Sequence, residues 1–234
     1  FVYQALWKSQ RKKTIAVVVP TVTLAQDQEN ELHNNTKIKS KQFHAHVGGK
    51  HKKNSTIKDS IPSGKQGLFF SSPQSMLQIL RTSLIDAAER GNLGAFVIDE
   101  AHIVHAWGTD FRSEFQELAA LVSELRSKSP ENKKPKIILL SATVETESLE
   151  TLNSFFSLPG NPISIISATR LRPEQEIWVS PTIEDEEVRK QMVLESLMNL
   201  PRPAILYATE PEEVNKLYDF LKKKGFKNLE KVHG

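Results

Sequence analysis

The chain has 234 residues, 38% of them hydrophobic and 25% charged, and its formal net charge is +3. This composition is ordinary for a soluble globular protein and argues against a disordered chain. The sequence contains no cysteine, which excludes disulfides, thiolate zinc sites and cysteine nucleophiles. No apolar run approaches the length of a membrane span, and the first residues lack a secretory signal pattern, so we expect an intracellular protein.

Strand-like and helix-like segments alternate through the first two thirds of the chain. Four short apolar runs predict buried strands: Thr14 to Pro20, Gly67 to Phe70, Ala95 to Ile98 and Lys136 to Leu140. Helical spacing predicts helices at Gln74 to Arg90, Phe111 to Arg126 and Glu145 to Phe156, and a further apolar run covers Ile163 to Ile166. Ser72 before Pro73 has the pattern of a helix N-cap. This alternation predicts an α/β fold whose parallel sheet is covered by helices on both faces.

Turn-forming residues then interrupt the chain, and the alternation starts again after them. We therefore predict a first domain over residues 1–168, a linker over 169–174 and the beginning of a second domain over 175–234. In the second domain we expect strands at Glu176 to Val179 and Ala204 to Tyr207, and helices at Glu186 to Leu200 and Pro211 to Lys224. Thr209 and Glu212 have the spacing of a capping box ahead of the last helix.

Two adjacent acids, Asp99 and Glu100, follow the predicted strand Ala95 to Ile98. Ligands of open parallel sheets bind at the carboxyl ends of the strands, where these acids are expected to lie. Phosphoryl transfer needs a carboxylate that holds Mg²⁺, usually through water, and a second group that activates or positions water. Asp99 suits the first role and Glu100 the second, although two acids alone often form only a solvated turn.

The longer string Asp99-Glu100-Ala101-His102 resembles motif II of superfamily 2 helicases, and Ser141-Ala142-Thr143 resembles their motif III. The resemblance implies two RecA-like motor domains, ATP and Mg²⁺ as cofactors, and a catalytic role for Asp99, Glu100 and His102. It also implies that Ser141 and Thr143 couple ATP hydrolysis to movement along nucleic acid.

The segment from Trp107 to Phe115 narrows the resemblance to RecQ-like helicases, because it is similar to their aromatic-rich loop. RNA-directed DEAH-box proteins are not expected to carry that loop. By this resemblance Trp107, Phe111 and Arg112 contact single-stranded DNA through stacking and cationic contacts. The alternative is that Trp107 and Phe111 are core residues. A narrower resemblance, to the bacterial DpdF-like helicases linked to deazapurine DNA modification, stays open at this point.

Weaker similarities add further DNA-contacting residues. Pro20 and Thr21 resemble motif Ia, Gly48 and Gly49 resemble the glycine region that follows it, and Ser72-Pro73 resembles motif Ib. Backbone amides and small hydroxyls at strand ends hold phosphates without reading bases, so these residues would position a strand. The alternative for Pro20-Thr21 and Ser72-Pro73 is an ordinary turn between a strand and a helix.

No G-x-x-x-x-G-K-[ST] phosphate loop occurs in these residues, and Phe1 to Leu6 resembles the helix that follows this loop in RecQ proteins. The missing loop leads us to expect a fragment that is inactive alone. The resemblance to RecQ-like proteins implies that the intact protein is an ATP-dependent 3'-5' helicase that binds single-stranded and duplex DNA. We expect a bacterial, cytoplasmic and nucleoid-associated location rather than a nuclear one.

Other functions remain open at this stage. They are an RNA helicase, a double-strand translocase, or a binding module whose ATPase has decayed. A zinc site at Asp99, His102 and His105 is disfavoured, because structural zinc usually takes four ligands and the helicase motif already explains Asp99 and His102.

Overall fold

The computed structural model describes residues 2–36, 38, 41–43, 51–106, 108–143, 145–158, 161–167, 176–181 and 183–232. Within these ranges, the side chains of residues 41–43, 51–55, 105–106 and 108–112 lie outside the description. The chain divides into two compact units, unit 1 over residues 1–166 and unit 2 over residues 167–234. Among the described residues, no helix is long and apolar enough to cross a membrane.

Unit 1 contains eight helices in its described part, together with a short 3-10 turn at Glu131–Lys133. The helices are α1 (Val2–Ser9), α2 (Val22–Asn35), α3 (His51–Ser60), α4 (Pro73–Gln78), α5 (Arg81–Glu89), α6 (Ile103–Ala106), α7 (Gly108–Lys128) and α8 (Thr146–Phe156). The N-cap expected at Ser72 is confirmed, because its Oγ accepts the Ser75 N–H at 3.4 Å and Pro73 opens α4.

Five parallel strands form the sheet of unit 1, in the order β2-β3-β1-β4-β5. The strands are β1 (Thr14–Val18), β2 (Lys41–Phe43), β3 (Leu68–Ser71), β4 (Leu93–Ile98) and β5 (Lys136–Leu139). The predicted α/β fold with a parallel sheet is therefore confirmed.

The central strand β1 sends alternate side chains into two separate cores, because successive residues of a strand point to opposite faces. Ile15 and Val17 belong to the core that contains residues of α1 and α2, and Ala16 and Val18 belong to the core on the opposite face. The second core includes buried residues of α4, α5, α7 and α8. Both faces of the sheet are covered, which explains why the central strands are mostly apolar.

The register of the sheet aligns the carboxyl ends of four strands. Val18 pairs with Ser71 on one side and with Ile98 on the other, and Ile98 pairs in turn with Leu139. The residues that follow these four strands therefore emerge at one edge of the sheet. This edge is where the sequence motifs place their polar residues.

One helix of unit 1 differs from its prediction. The helix expected over Gln74 to Arg90 is split into α4 and α5, because the Leu80 N–H bonds to the Ser75 carbonyl at 3.0 Å and a new helix begins after Leu80. Leu80 is fully buried at this break, so burial of its side chain in the core accompanies the change of direction. The apolar run Ile163 to Ile166 forms no strand, and Ile166 is fully exposed.

Unit 2 is described by two helices, α9 (Glu186–Asn199) and α10 (Pro211–Lys223), which contribute Leu194, Leu197 and Leu221 to a small core. Asp185 caps α9 by accepting the N–H groups of Glu187 and Val188. The predicted capping box of Thr209 and Glu212 is wrong. The N-cap of α10 is Glu210, because Pro211 already occupies the first helical position.

The strands expected at Glu176 to Val179 and Ala204 to Tyr207 are also absent from the described part of unit 2. A strand requires a hydrogen-bonded neighbour, and neither segment has one among the described residues. Their side chains are correspondingly exposed, with Trp178 at 88% and Tyr207 at 85%. Both apolar runs are present in the sequence, but neither pairs with another described segment.

Candidate active site

The turn after β4 is anchored to strands on both of its sides. The Asp99 N–H donates to the Val18 carbonyl of β1 at 2.9 Å, and the Ala101 N–H donates to the Leu140 carbonyl after β5 at 2.8 Å. These bonds continue the sheet pattern past the end of β4, so the backbone of Asp99, Glu100 and Ala101 is fixed relative to the neighbouring strands. The acidic pair is therefore presented by a rigid support.

Both carboxylate oxygens of Asp99 accept a hydrogen bond. Oδ2 accepts the hydroxyl of Tyr3, from α1, at 2.7 Å, and Oδ1 accepts the N–H of Glu100 at 3.0 Å. Burial raises the pKa of the Tyr3 phenol well above its ordinary value, and the negative charge of Asp99 raises that pKa further. The phenol is therefore a stable donor at neutral pH.

The chemistry of Asp99 fits Mg²⁺. An ionised carboxylate offers about four lone-pair sites, so two accepted hydrogen bonds leave acceptor capacity on each oxygen. Mg²⁺ prefers hard oxygen ligands and is often held by one or two carboxylates together with water and phosphate oxygens. The Asp99 side chain presents oxygens of this kind at the carboxyl edge of the sheet.

Glu100 has a left-handed backbone, with φ of 53°, which is uncommon for a residue other than glycine. Its side chain is 36% exposed, so the carboxylate retains access to solvent. Left-handed backbone at such a residue is unfavourable by roughly 1–2 kcal/mol, and strained positions of this kind cluster at functional sites. The strain and the exposed carboxylate together make Glu100 a candidate for contact with water or a ligand.

His102 connects the turn after β4 to the turn after β5. Its Nδ1 lies 2.9 Å from the Ser141 Oγ and 3.4 Å from a carboxylate oxygen of Glu100. The Ser141 hydroxyl donates its single hydrogen to the Thr143 carbonyl and accepts the Thr143 N–H at 3.3 Å. Because the hydroxyl hydrogen is already committed, we assign the proton to Nδ1, from which His102 donates to Ser141.

Pro20 and Pro73 lie beside the acidic pair, as the register of the sheet requires. Together with Asp99 and Glu100 they line one mainly apolar crevice. The other residues that line this crevice are Val18, Ile98, Ile103, Phe115 and Leu118. The Thr21 Oγ accepts the Leu24 N–H at 3.2 Å and the Ser72 Oγ accepts the Ser75 N–H. Both hydroxyls thus cap helices, which agrees with the turn interpretation left open by the sequence.

Several predicted DNA-contacting residues fall outside this geometry. Gly48, Gly49 and Trp107 lie outside the described residues, and Phe111 and Arg112 belong to α7 at positions where the side chains are not described. Phe115, the last residue of the aromatic-rich segment, is buried in the core. Phe115 is thus a core residue, and the roles of Gly48, Gly49, Trp107, Phe111 and Arg112 stay predictions.

Tyr3 is the site residue that sequence reasoning missed. The resemblance placed a helix at the start of the chain but gave no role to the Tyr3 hydroxyl. Its bond to Asp99 joins residues 96 positions apart, so no local pattern indicates it. The available signal was a tyrosine on a helix whose other inward residues, Leu6 and Trp7, are apolar.

Comparison with known proteins identifies the family. The family model described as DEAD/DEAH box helicase matches residues 1–152, which is more than half of the chain. The protein belongs to the DEAD/DEAH box helicase family. The expected resemblance to superfamily 2 helicases is thereby confirmed.

Two curated proteins are similar to parts of the chain. The probable ATP-dependent DNA helicase RecS of Bacillus subtilis (strain 168) is 27% identical over 142 residues, which are 61% of this chain and 27% of RecS. The RecQ-like DNA helicase blm-1 of Caenorhabditis elegans is 35% identical over 91 residues, which are 39% of this chain and 9% of blm-1. The chain thus spans about a quarter or less of the length of these relatives.

Solved structures support the fold. The match to the crystal structure of the DUF1998 helicase MrfA covers 95% of this chain and 33% of the MrfA chain, with a TM-score of 0.66 at 19% identity. A structure of MrfA bound to DNA and AMPPNP covers 71% of this chain and 22% of its own, with a TM-score of 0.51 at 20% identity. At such identities the likeness shows a shared helicase fold.

Proposed function

We propose that the chain belongs to a RecQ-like, ATP-dependent DNA helicase that moves with 3'-5' polarity. The observation that carries the proposal is the pairing of Asp99 and Glu100 at the carboxyl edge of the sheet, linked through His102 to Ser141. Two relatives named as DNA helicases support DNA as the nucleic acid. We place the intact protein at the nucleoid in a bacterial cytoplasm, in keeping with its similarity to the bacterial RecS.

Within this proposal Asp99 holds Mg²⁺ through water, and the metal offsets negative charge on the phosphates of ATP. Glu100 accepts a proton from the attacking water or positions that water, as its solvent-exposed carboxylate allows. The Nδ1 atom of His102 lies next to both the Glu100 carboxylate and the Ser141 hydroxyl. A change in the turn that holds Ser141 and Thr143 is therefore transmitted to the water-activating carboxylate through one imidazole ring.

DNA contacts are assigned to two sets of residues. Trp107, Phe111 and Arg112 stack on bases and contact phosphates, and the strand ends at Pro20-Thr21, Gly48-Gly49 and Ser72-Pro73 position the backbone. The crevice shared by Pro20, Pro73 and Glu100 supports a short route between bound DNA and the site of hydrolysis.

The test of the catalytic role is Glu100→Gln in the full-length protein, with Glu195→Gln as the matched control on an exposed position of α9. Removal of a general base lowers turnover by about 10²–10⁴-fold. We expect the Glu100→Gln protein to lose multiple-turnover ATP hydrolysis and to keep its affinity for a non-hydrolysable ATP analogue. Wild-type turnover in this variant would assign water activation to another residue.

The choice of nucleic acid is tested by stimulation of ATP hydrolysis with single-stranded DNA, duplex DNA and RNA. We expect single-stranded DNA to stimulate most, because aromatic stacking favours unpaired bases. Stronger stimulation by RNA or by blunt duplex DNA would favour an RNA helicase or a double-strand translocase. Absence of hydrolysis with all three would favour a binding module.

The role of the aromatic-rich segment is tested by Trp107→Ala, with Trp178→Ala in unit 2 as the control for loss of an exposed indole. Stacking on one base contributes about 1–3 kcal/mol, so loss of Trp107 should lower DNA stimulation and unwinding about 5- to 150-fold. An equal loss of basal and stimulated hydrolysis, accompanied by a lower melting temperature, would instead assign Trp107 to the core.

A further inference from the structure

The hydroxyl of Tyr3 makes a long-range contact with the acidic pair. Tyr3 lies on α1, and its hydroxyl donates to the Asp99 Oδ2 at 2.7 Å. Its ring meets the ring of Phe70 edge to face, with centroids 5.5 Å apart and planes at 89°. Phe70 belongs to β3 and is fully buried. The phenol is therefore held by a rigid aromatic neighbour while its polar end reaches the strand end of β4.

This arrangement restricts the Asp99 carboxylate from two directions. The Glu100 N–H on the same turn fixes Oδ1, and the Tyr3 hydroxyl from a separate helix fixes Oδ2. A carboxylate with one hydrogen bond can still rotate about its terminal torsion, which is broad and soft. Two bonds from different elements remove that freedom and leave the remaining lone pairs in fixed directions.

We propose that Tyr3 is a positioning residue whose hydroxyl orients the Asp99 carboxylate toward the hydrated Mg²⁺ that accompanies ATP. This inference rests on the proposed function, because it assumes that Asp99 serves the metal. Hydrogen-bond partners of metal ligands tune metal binding by orienting the ligand, and their loss typically lowers metal affinity or activity by about 10–100-fold. Tyr3 touches neither nucleotide nor water in this scheme and acts only through Asp99.

The hydroxyl can be separated from the ring by substitution. Tyr3→Phe keeps the edge-to-face contact with Phe70 and removes only the donor, so the packing of α1 should be retained. Tyr218→Phe is the matched control, because Tyr218 lies on α10 in unit 2, where Lys222 and Lys231 lie over its ring. Both variants delete one phenolic oxygen, but only the first deletes a partner of Asp99.

The experiment is a titration of Mg²⁺ against the full-length protein, with binding of a fluorescent non-hydrolysable ATP analogue as the readout. We expect Tyr3→Phe to raise the half-saturating Mg²⁺ concentration by about tenfold, with analogue affinity restored at saturating Mg²⁺. The Tyr218→Phe protein should titrate like the wild type. ATP hydrolysis should show the same displacement toward higher Mg²⁺ concentrations.

A double-mutant cycle tests whether Tyr3 acts through Asp99. In an Asp99→Asn background, Tyr3→Phe should cause little further displacement, since residues that act through one contact are strongly non-additive. An unchanged Mg²⁺ titration in a folded Tyr3→Phe protein, or a full tenfold displacement in the Asp99→Asn background, would overturn the inference.

Failure of the proposed function has a different signature. In that case the wild-type protein hydrolyses no ATP, or it hydrolyses ATP with no response to Asp99→Asn. A wild-type enzyme that needs Asp99 but is indifferent to the Tyr3 hydroxyl would contradict the inference alone.

Discussion

The segments Ala95 to Ile98 in unit 1 and Ala204 to Tyr207 in unit 2 have similar sequences and different structures. Both are short apolar runs that predict a buried strand. The first lies in β4, paired with β1 and β5, and is almost completely buried. The second is unpaired among the described residues, and Ile205 and Tyr207 are 78% and 85% exposed. An apolar run therefore indicates the capacity to form a strand, and pairing partners within the same unit decide whether it forms.

The difference also explains where a site can be built. In unit 1 the aligned ends of four strands bring residues from distant parts of the chain to one edge of the sheet. His102, after β4, meets Ser141, after β5, for this reason. Tyr3 reaches the same edge from α1 and contacts Asp99 there. The described part of unit 2 has no paired strands to align its side chains in this way.

The largest effect on stability should distinguish a buried aromatic residue of unit 1 from an exposed one of unit 2. Phe96→Ala in β4 removes a fully buried ring, and we expect a loss of about 3–5 kcal/mol in the free energy of unfolding of unit 1. Trp178→Ala removes a larger ring that is 88% exposed, and its effect should stay within about 0.5 kcal/mol. Urea unfolding followed by circular dichroism, with hydrogen exchange of β4 peptides, measures both. A loss at Trp178 as large as that at Phe96 would show that the exposed segment of unit 2 is packed in solution.

Two glycines provide a second comparison, because both have a left-handed backbone in different surroundings. Gly67 has φ of 68°, and a Cβ there would lie 2.5 Å from the Trp7 ring. Gly225 has φ of 95°, and a Cβ there would meet nothing within 4 Å. Gly67→Ala should therefore destabilise by about 2–4 kcal/mol through strain and overlap, and Gly225→Ala by about 1–2 kcal/mol through strain alone. Equal losses in the same unfolding assay would mean that the Trp7 ring moves aside freely.

Much of unit 1 could be predicted from its sequence. The apolar runs, the Ser72 cap and the strand-end position of Asp99 and Glu100 are local features, so local patterns identify them. Family resemblance added His102, Ser141 and Thr143. The Tyr3 contact and the break before Leu80 could not be predicted, because each depends on residues that meet only after the sheet and its helices have packed. The unpaired runs of unit 2 misled the prediction because periodicity carries no information about partners.

A smaller effect is expected when the bridge between two strand ends is broken. Ser141→Ala removes the hydroxyl that meets His102 Nδ1 and the Thr143 backbone, and a hydrogen bond of this kind contributes about 0.5–1.5 kcal/mol. We expect a loss of about 1 kcal/mol in unfolding free energy and less unwinding per ATP hydrolysed. Ser180→Ala in unit 2 is the control, because its hydroxyl donates to the adjacent Pro181 carbonyl in an exposed segment. If coupling is unchanged in Ser141→Ala, the contact between His102 and Ser141 is structural only.

The smallest effect has the opposite sign and concerns the left-handed positions themselves. Gly67 of unit 1 and Gly225 of unit 2 are glycines at such positions, whereas Glu100 has a side chain there, with φ of 53°. Glycine removes a left-handed strain of about 1–2 kcal/mol but gives the unfolded chain more freedom, which offsets about 0.4–1 kcal/mol of the gain. Glu100→Gly should therefore raise the free energy of unfolding by about 0.5–1 kcal/mol while it abolishes ATP hydrolysis. Lys12→Gly is the matched control, since Lys12 has φ of 65° in the turn before β1. It should gain the same stability and keep full hydrolysis. Urea unfolding could instead show that Lys12→Gly is stabilised and Glu100→Gly is destabilised. The Glu100 side chain would then stabilise the fold through its own contacts, and its left-handed backbone would not lower stability in favour of catalysis.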